Sequence, residues 1–188
     1  PRLLYIGRMK VEKGIFSLTK IVCEIQIDLK LSIVGGEQDK FSENETKNEK
    51  ISFYPYQNET NSLIRFYDEN NIFILPSFTE AHPKVLDESL ARMRPVIIFE
   101  DIAYIAKDKK GLFISKRNLN SFLETTKYIM DNYSKIQKTM EQNDLPTKKS
   151  MIKQLYHQED IIQIIIIQQQ QQQTYLETIL QVMRLLHF

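Results

Sequence analysis

Apolar residues fall into short, nearly unbroken runs, separated by stretches in which they recur every third or fourth position. The runs are RLLYIG (2–7), LKLSIVG (29–35), KISFYP (50–55), NIFILPS (71–77), PVIIF (95–99) and GLFIS (111–115). A strand with one wet face alternates apolar and polar residues. Most of these runs do not, so they predict strands covered on both faces. Between them, Leu18, Ile21, Val22 and Ile25 lie at helical spacing, as do Leu63, Phe66 and Tyr67, then Val85, Leu86, Leu90 and Met93. Helices threaded between doubly covered strands predict an α/β fold: a Rossmann-like parallel sheet with right-handed crossovers and helices on both faces.

After Ser115 the alternation stops, and C-terminal helices are expected. Ser121 and Glu124 have the spacing of a capping box. Phe122, Ile129, Tyr133, Ile136 and Met140 then predict one face of a long helix, and Pro146 suits the first turn of a second helix running to about Tyr156. Residues 1–156 are therefore expected to form one domain. Residues 157–188 are set apart by the uncharged run IIQIIIIQQQQQQ, a low-complexity tail before a terminal apolar-faced helix.

Composition narrows the function classes. The chain has 188 residues, 42% hydrophobic and 26% charged, which is ordinary for a folded domain with its own core. Lys and Arg total 25 against 24 Asp and Glu, a net charge of +1. That balance gives no field for nucleic acid, and at most peripheral contact with a membrane. Cys23 stands alone, so no disulfide framework or Cys-based zinc site is expected, which fits a reducing cytoplasm. The chain opens PRLLYIGRM, without a basic-then-apolar leader, and the expectation is a segment cut from a longer chain.

In open parallel sheets, ligands bind at the carboxyl ends of the strands, where helix N-termini point their amides. Four stretches fall there. In YIGRMKVEKG (5–14) a strand ends at Gly7, Arg8 follows, and Lys13 lies near the next helix. Arg8 offers a planar fork for phosphate oxygens and Lys13 a point charge, though a solvated basic turn accounts for the stretch equally well. It is neither G-x-G-x-x-G nor a P-loop. Gly35 and Gly36 allow close backbone approach or a sharp turn. Tyr54 and Tyr56 can flank a planar base or simply pack. In SFTEAHPKVLDESLARMRPVIIF, Glu80 follows an apolar strand, Pro83 can open a helix, and Glu88 would lie about two turns along it. Amides of residues 82–84 would face an anion there, and a carboxylate on that helix can accept both hydroxyls of a ribose. Ordinary surface acids would show the same spacing.

The combination is more specific than its parts. G-R near the start, K-G six residues on, I-V-G after the second strand, L-P-S, then E-x(7)-E and R-P-V-I occur in one order. Over residues 3 to about 115 this order resembles the C-terminal half of the retaining glycosyltransferases of family 4, which have the two-domain GT-B fold. The resemblance implies roles. Arg8 and Lys13, beside Gly7, would hold the diphosphate of a nucleotide-sugar donor. Glu80 would contact the donor sugar near the reacting carbon, and Glu88 the ribose hydroxyls. The amides of His82 and Lys84 would line the pocket, while Pro83 has no N–H to give. The family has a glycine-rich run where this chain has AHPK, and often a glycine where it has Arg94.

Resemblance further implies that the nucleotide-sugar is a substrate and that no cofactor is needed. The sugar or lipid-linked acceptor would be held by an N-terminal domain that this chain does not contain. The chain alone would then be a donor-binding half, cytoplasmic or peripheral at the inner membrane face, serving surface polysaccharide or glycolipid synthesis. No D-x-D triplet occurs and His82, His157 and His187 are scattered, so no metal is expected. A nucleotide-sugar epimerase or phosphorylase of the same fold, and a non-catalytic Rossmann-like module, are the alternatives.

Overall fold

Each apolar run becomes a strand: β1 (Arg2–Ile6), β2 (Lys30–Val34), β3 (Ile51–Tyr54), β4 (Ile72–Leu75), β5 (Val96–Phe99) and β6 (Leu112–Ser115). They are seen in a computed structural model, which describes residues 1–36 and 38–145. All pair in parallel, in the order β3-β2-β1-β4-β5-β6. β4 and β5 are buried at every position, as runs without alternation require. Between β1 and β4 the winding reverses direction, which makes this pair the topological switch point of the sheet.

The helices are α1 (Ile15–Glu24), α2 (Glu43–Thr46), α3 (Thr60–Glu69), α4 (Lys84–Ala91), α5 (Leu119–Asp131) and α6 (Tyr133–Met140). The connections from β1 to β3 run one way along the sheet and those from β3 to β6 the other, and crossovers between parallel strands share one hand, which places helices on both faces. α1 turns Ile15, Leu18, Ile21 and Val22 into the core. The short α2 has a capping box: the Ser42 hydroxyl and N–H both bond Glu45, which is itself buried.

Three local expectations are corrected. Asn118, not Ser121, caps α5, its side chain accepting from the Ser121 N–H at 3.0 Å. Both are capping residue types, but Asn118 has the extended backbone that a cap needs, and Ser121 Oγ is taken by the Lys116 N–H. The long helix is two helices, broken at Asn132, whose side-chain amide and N–H both bond the Tyr128 carbonyl. The break turns Tyr133 so that its hydroxyl bonds Asn71 O at 2.9 Å. Pro83 caps α4 rather than opening it, which leaves Glu88 a little over one turn into the helix. The helix expected from Pro146, the boundary at 156 and the Ile/Gln tail lie outside the described residues.

Candidate functional site at the carboxyl edge of the sheet

The loops that leave β1, β2 and β4 are pressed together by glycines. The Gly7 N–H bonds Val34 O at 3.0 Å, and Gly35 turns away from β2 with φ 104°. A Cβ on Gly35 would lie 2.8 Å from Gly7 O. Gly14 is tighter: it has φ 66°, and a Cβ there would fall 1.8 Å from Pro76 O. Only glycine combines that backbone with that approach. The turn before α1 is thereby seated on the loop after β4.

This seating brings Lys13 to Glu80. Lys13 Nζ lies 2.6 Å from Glu80 Oε1, in a pair whose side chains are 25% and 9% exposed. The Ser77 hydroxyl donates to the same oxygen at 2.7 Å. Glu80 Oε2 takes no hydrogen bond from the described residues. A largely shielded carboxylate thus has one oxygen fixed by two donors and the other open.

Arg117, from the loop after β6, holds the base of the Glu80 loop. Its guanidinium donates to Pro76 O and Ser17 Oγ at 2.8 Å each, and to Ser77 O at 3.3 Å. It also pairs with Asp101 at 2.6 Å and lies against the rings of Phe78 and Phe99, at 4.0 and 4.3 Å. Further along, the Tyr104 hydroxyl accepts from the Glu80 N–H at 3.0 Å and donates to the Glu80 carbonyl at 2.6 Å. Sequence reasoning missed Ser77, Tyr104 and Arg117. The available signal was position alone, since each follows the carboxyl end of a strand.

Arg8 is exposed, and its guanidinium has no hydrogen-bond or ion-pair partner among the described residues. Its carbonyl accepts from the Tyr5 hydroxyl at 2.8 Å. Burial, with the charge of Glu80 adding to it, pushes the Tyr5 phenol well up, so it stays a donor. Arg8 lines an open cavity of about 400 Å³ with Lys10, Gly35, Gly36, Pro55 and Tyr56. Two of the other stretches singled out in the sequence therefore reach the same cavity as Arg8. Tyr54 does not; it packs edge-on against Phe66, ring centroids 4.9 Å apart.

Glu88 stands apart from the Lys13–Glu80 pair. It is exposed on α4 and accepts from the Tyr67 hydroxyl of α3 at 2.9 Å. Burial first, then the Glu88 charge, raise the Tyr67 pKa, which keeps this phenol protonated. His82 is also exposed and turns back to Asp87, Nε2 to Oδ2 3.1 Å. Asp87 is paired as well with Lys109. Lys84 begins α4 in solvent, with no side-chain partner among the described residues. Arg94 belongs to the other end of the sheet, where it bonds Tyr133 Oη at 3.0 Å and Asp68 O at 3.2 Å. It is a structural contact before β5, remote from Lys13 and Glu80 in bonding. Among the described residues, no three His, Cys, Asp or Glu side chains form a metal-binding cluster. No helix among them is long and apolar enough to cross a membrane.

Comparison with known proteins gives this geometry a setting. A family model described as glycosyl transferases group 1 matches residues 1–132. A curated relative from Haemophilus influenzae, described as an uncharacterized glycosyltransferase, is 28% identical over 127 residues, 62% of this chain and 35% of the relative. The chain thus spans about a third of that protein's length. Among solved structures, Anabaena HepE in complex with UDP and glucose superposes with a TM-score of 0.60 at 14% identity, over 76% of this chain and 41% of that one. WaaG, a glycosyltransferase involved in lipopolysaccharide biosynthesis, gives 0.59 at 17% identity, over 80% and 46%. These two likenesses are likenesses of fold.

Proposed function

We propose, on the premise that this chain belongs to the group 1 glycosyl transferases, that it is the donor-binding half of a two-domain GT-B enzyme of the retaining, family-4 type. The observation that carries the reading is the Lys13–Glu80 pair, its second carboxylate oxygen without a hydrogen bond from the described residues, set at the switch point of the sheet that Arg8 also follows.

The chemistry of each residue fits a role. Departure of the sugar builds negative charge on the nucleoside diphosphate. Arg8 and Lys13 meet that charge with cations already in place, which lowers the barrier without reorganisation. The Lys13 ammonium has three donors, so it can keep Glu80 and still reach a phosphate oxygen. Glu80 Oε2 faces the donor sugar near the reacting carbon. Glu88 accepts the ribose hydroxyls, and the His82 and Lys84 amides line the phosphate and sugar pocket. The leaving group is stabilised by these side chains and amides, so the reading asks for no metal and no cofactor.

HepE, whose structure holds UDP and glucose, supports a nucleoside diphosphate sugar as donor. The acceptor is a sugar or lipid-linked glycan held by an N-terminal domain. WaaG, of the same fold, supports a place in surface polysaccharide or glycolipid synthesis, on the inner side of the membrane.

Calorimetric titration of the chain with UDP, GDP and the bare nucleosides tests the reading. Arg8→Ala and Lys13→Ala should each weaken diphosphate binding about tenfold and leave nucleoside binding unchanged, as expected for a lost charge-assisted contact of about 1.5 kcal/mol. Equal losses for both ligands, or no binding of either diphosphate, would overturn it.

A further inference from the structure

Residues 76–83, between β4 and α4, carry Glu80 through a stretch without regular structure. Its start is fixed by Arg117 on Pro76 and Ser77 and by the Phe78 N–H, which bonds Glu12 O at 3.0 Å. At Glu80 itself the main chain has one outside hold among the described residues, and Tyr104 provides it. That side chain is 59% exposed, so burial does little to account for its placement. Its hydroxyl grips both polar groups of the Glu80 backbone, accepting at 3.0 Å and donating at 2.6 Å.

We propose that Tyr104 is a positioning residue for the sugar-transfer step, clamping the Glu80 main chain so that the carboxylate keeps its aim when the donor arrives. The proposal rests on the reading of Glu80 and Lys13 given above. With the site empty, the Glu80 carboxylate is held by Lys13 and Ser77, both on the same oxygen. A diphosphate draws on the Lys13 ammonium, and one of those two holds is then shared. The Tyr104 clamp acts on the backbone and competes with nothing the donor brings. It is therefore the fixed reference for the carboxylate in the loaded site.

Displacement of a reacting group by about 1 Å can cost on the order of a hundredfold in rate. Tyr104→Phe keeps the ring and removes both bonds. In the complete two-domain protein, assayed with UDP-glucose and GDP-mannose as probes, we expect kcat to fall about 10- to 100-fold, with donor KM within threefold and Tm unchanged. The double variant with Glu80→Gln should be no slower than Glu80→Gln alone, because the clamp acts only through that acid. Wild-type kcat in Tyr104→Phe beside a slow Glu80→Gln would overturn the clamp and leave the assignment of Glu80 standing. Wild-type kcat in Glu80→Gln would instead overturn the assignment of Glu80. Amide hydrogen exchange of Glu80 in the 188-residue chain needs no turnover: faster exchange in Tyr104→Phe supports the clamp, and an unchanged rate overturns it.

Discussion

At the scale of single residues, Glu88 has one contact in the structure and a second in the proposed complex. In the structure it accepts the Tyr67 phenol; in the proposed complex it also accepts ribose hydroxyls. Glu88→Ala would remove both contacts and leave a phenol that is 2% exposed short of its partner, at about 1–3 kcal/mol of stability. Glu88→Gln separates the two, because the amide oxygen still accepts from Tyr67 while the charge is gone. We expect Glu88→Gln to keep the wild-type Tm and to bind UDP about 5- to 10-fold more weakly, the difference between a charged and a neutral hydrogen bond. Unchanged affinity would remove Glu88 from the ribose site. The sequence pointed to Glu80, Lys13 and Arg8 through the order of the motifs and the family they resemble, since a solvated turn or ordinary surface acids would account for each residue alone. Tyr104 was illegible, since its role lies in a contact with the main chain of a residue 24 positions away.

Among the elements, strands were easier to read than the breaks between helices. An apolar run of four or five residues flanked by polar turns has few alternatives in an α/β chain, and all six became strands. The α5–α6 break was hidden because Phe122, Ile129, Ile136 and Met140 are all buried and keep helical spacing across Asn132. The four-residue α2 gave no periodic signal at all; it depends on its cap. Burial tends to raise the pKa of Glu45, but bonds from the Ser42 hydroxyl, the Thr19 hydroxyl and the Ser42 N–H, with the charge of Lys20, outweigh it and hold the carboxyl below its ordinary value. A depressed folded pKa contributes stability that is complete above the unfolded value and is lost as pH falls through the folded one. Glu45→Gln should thus lower stability at neutral pH by about 1 kcal/mol and flatten the loss of Tm on acidification. A Gln variant with the wild-type acid slope would show that α2 does not depend on this charge.

At the scale of the molecule, the described residues form one sheet, and its switch point is where the proposed chemistry sits. Strand–helix alternation, doubly covered strands and the ordered G-R, K-G, E-x(7)-E motifs together made the α/β fold readable, whereas the seating of the loops on one another was not, because contacts such as Gly14 on Pro76 leave no periodic trace. If the cations and amides of this edge suffice for the leaving group, the chain's affinity for UDP should be the same within twofold in EDTA and in millimolar magnesium. A requirement for the metal would mean that the diphosphate is held by other means. If transfer needs the acceptor domain proposed above, the chain alone should bind UDP and release no sugar from UDP-glucose.

The contact between Gly14 and the Pro76 carbonyl bears on how such an enzyme can be re-tuned. Two loops that meet with no room for a methyl group form one mechanical part, even though the two residues lie 62 positions apart in sequence. Because the contact is with the main-chain carbonyl of residue 76, a loop transplanted at 76–83 should be accepted only while residue 14 stays glycine and the backbone at 76 keeps its path. The side chains of the later loop are free to vary against that contact, whereas any side chain at position 14 would part the two loops.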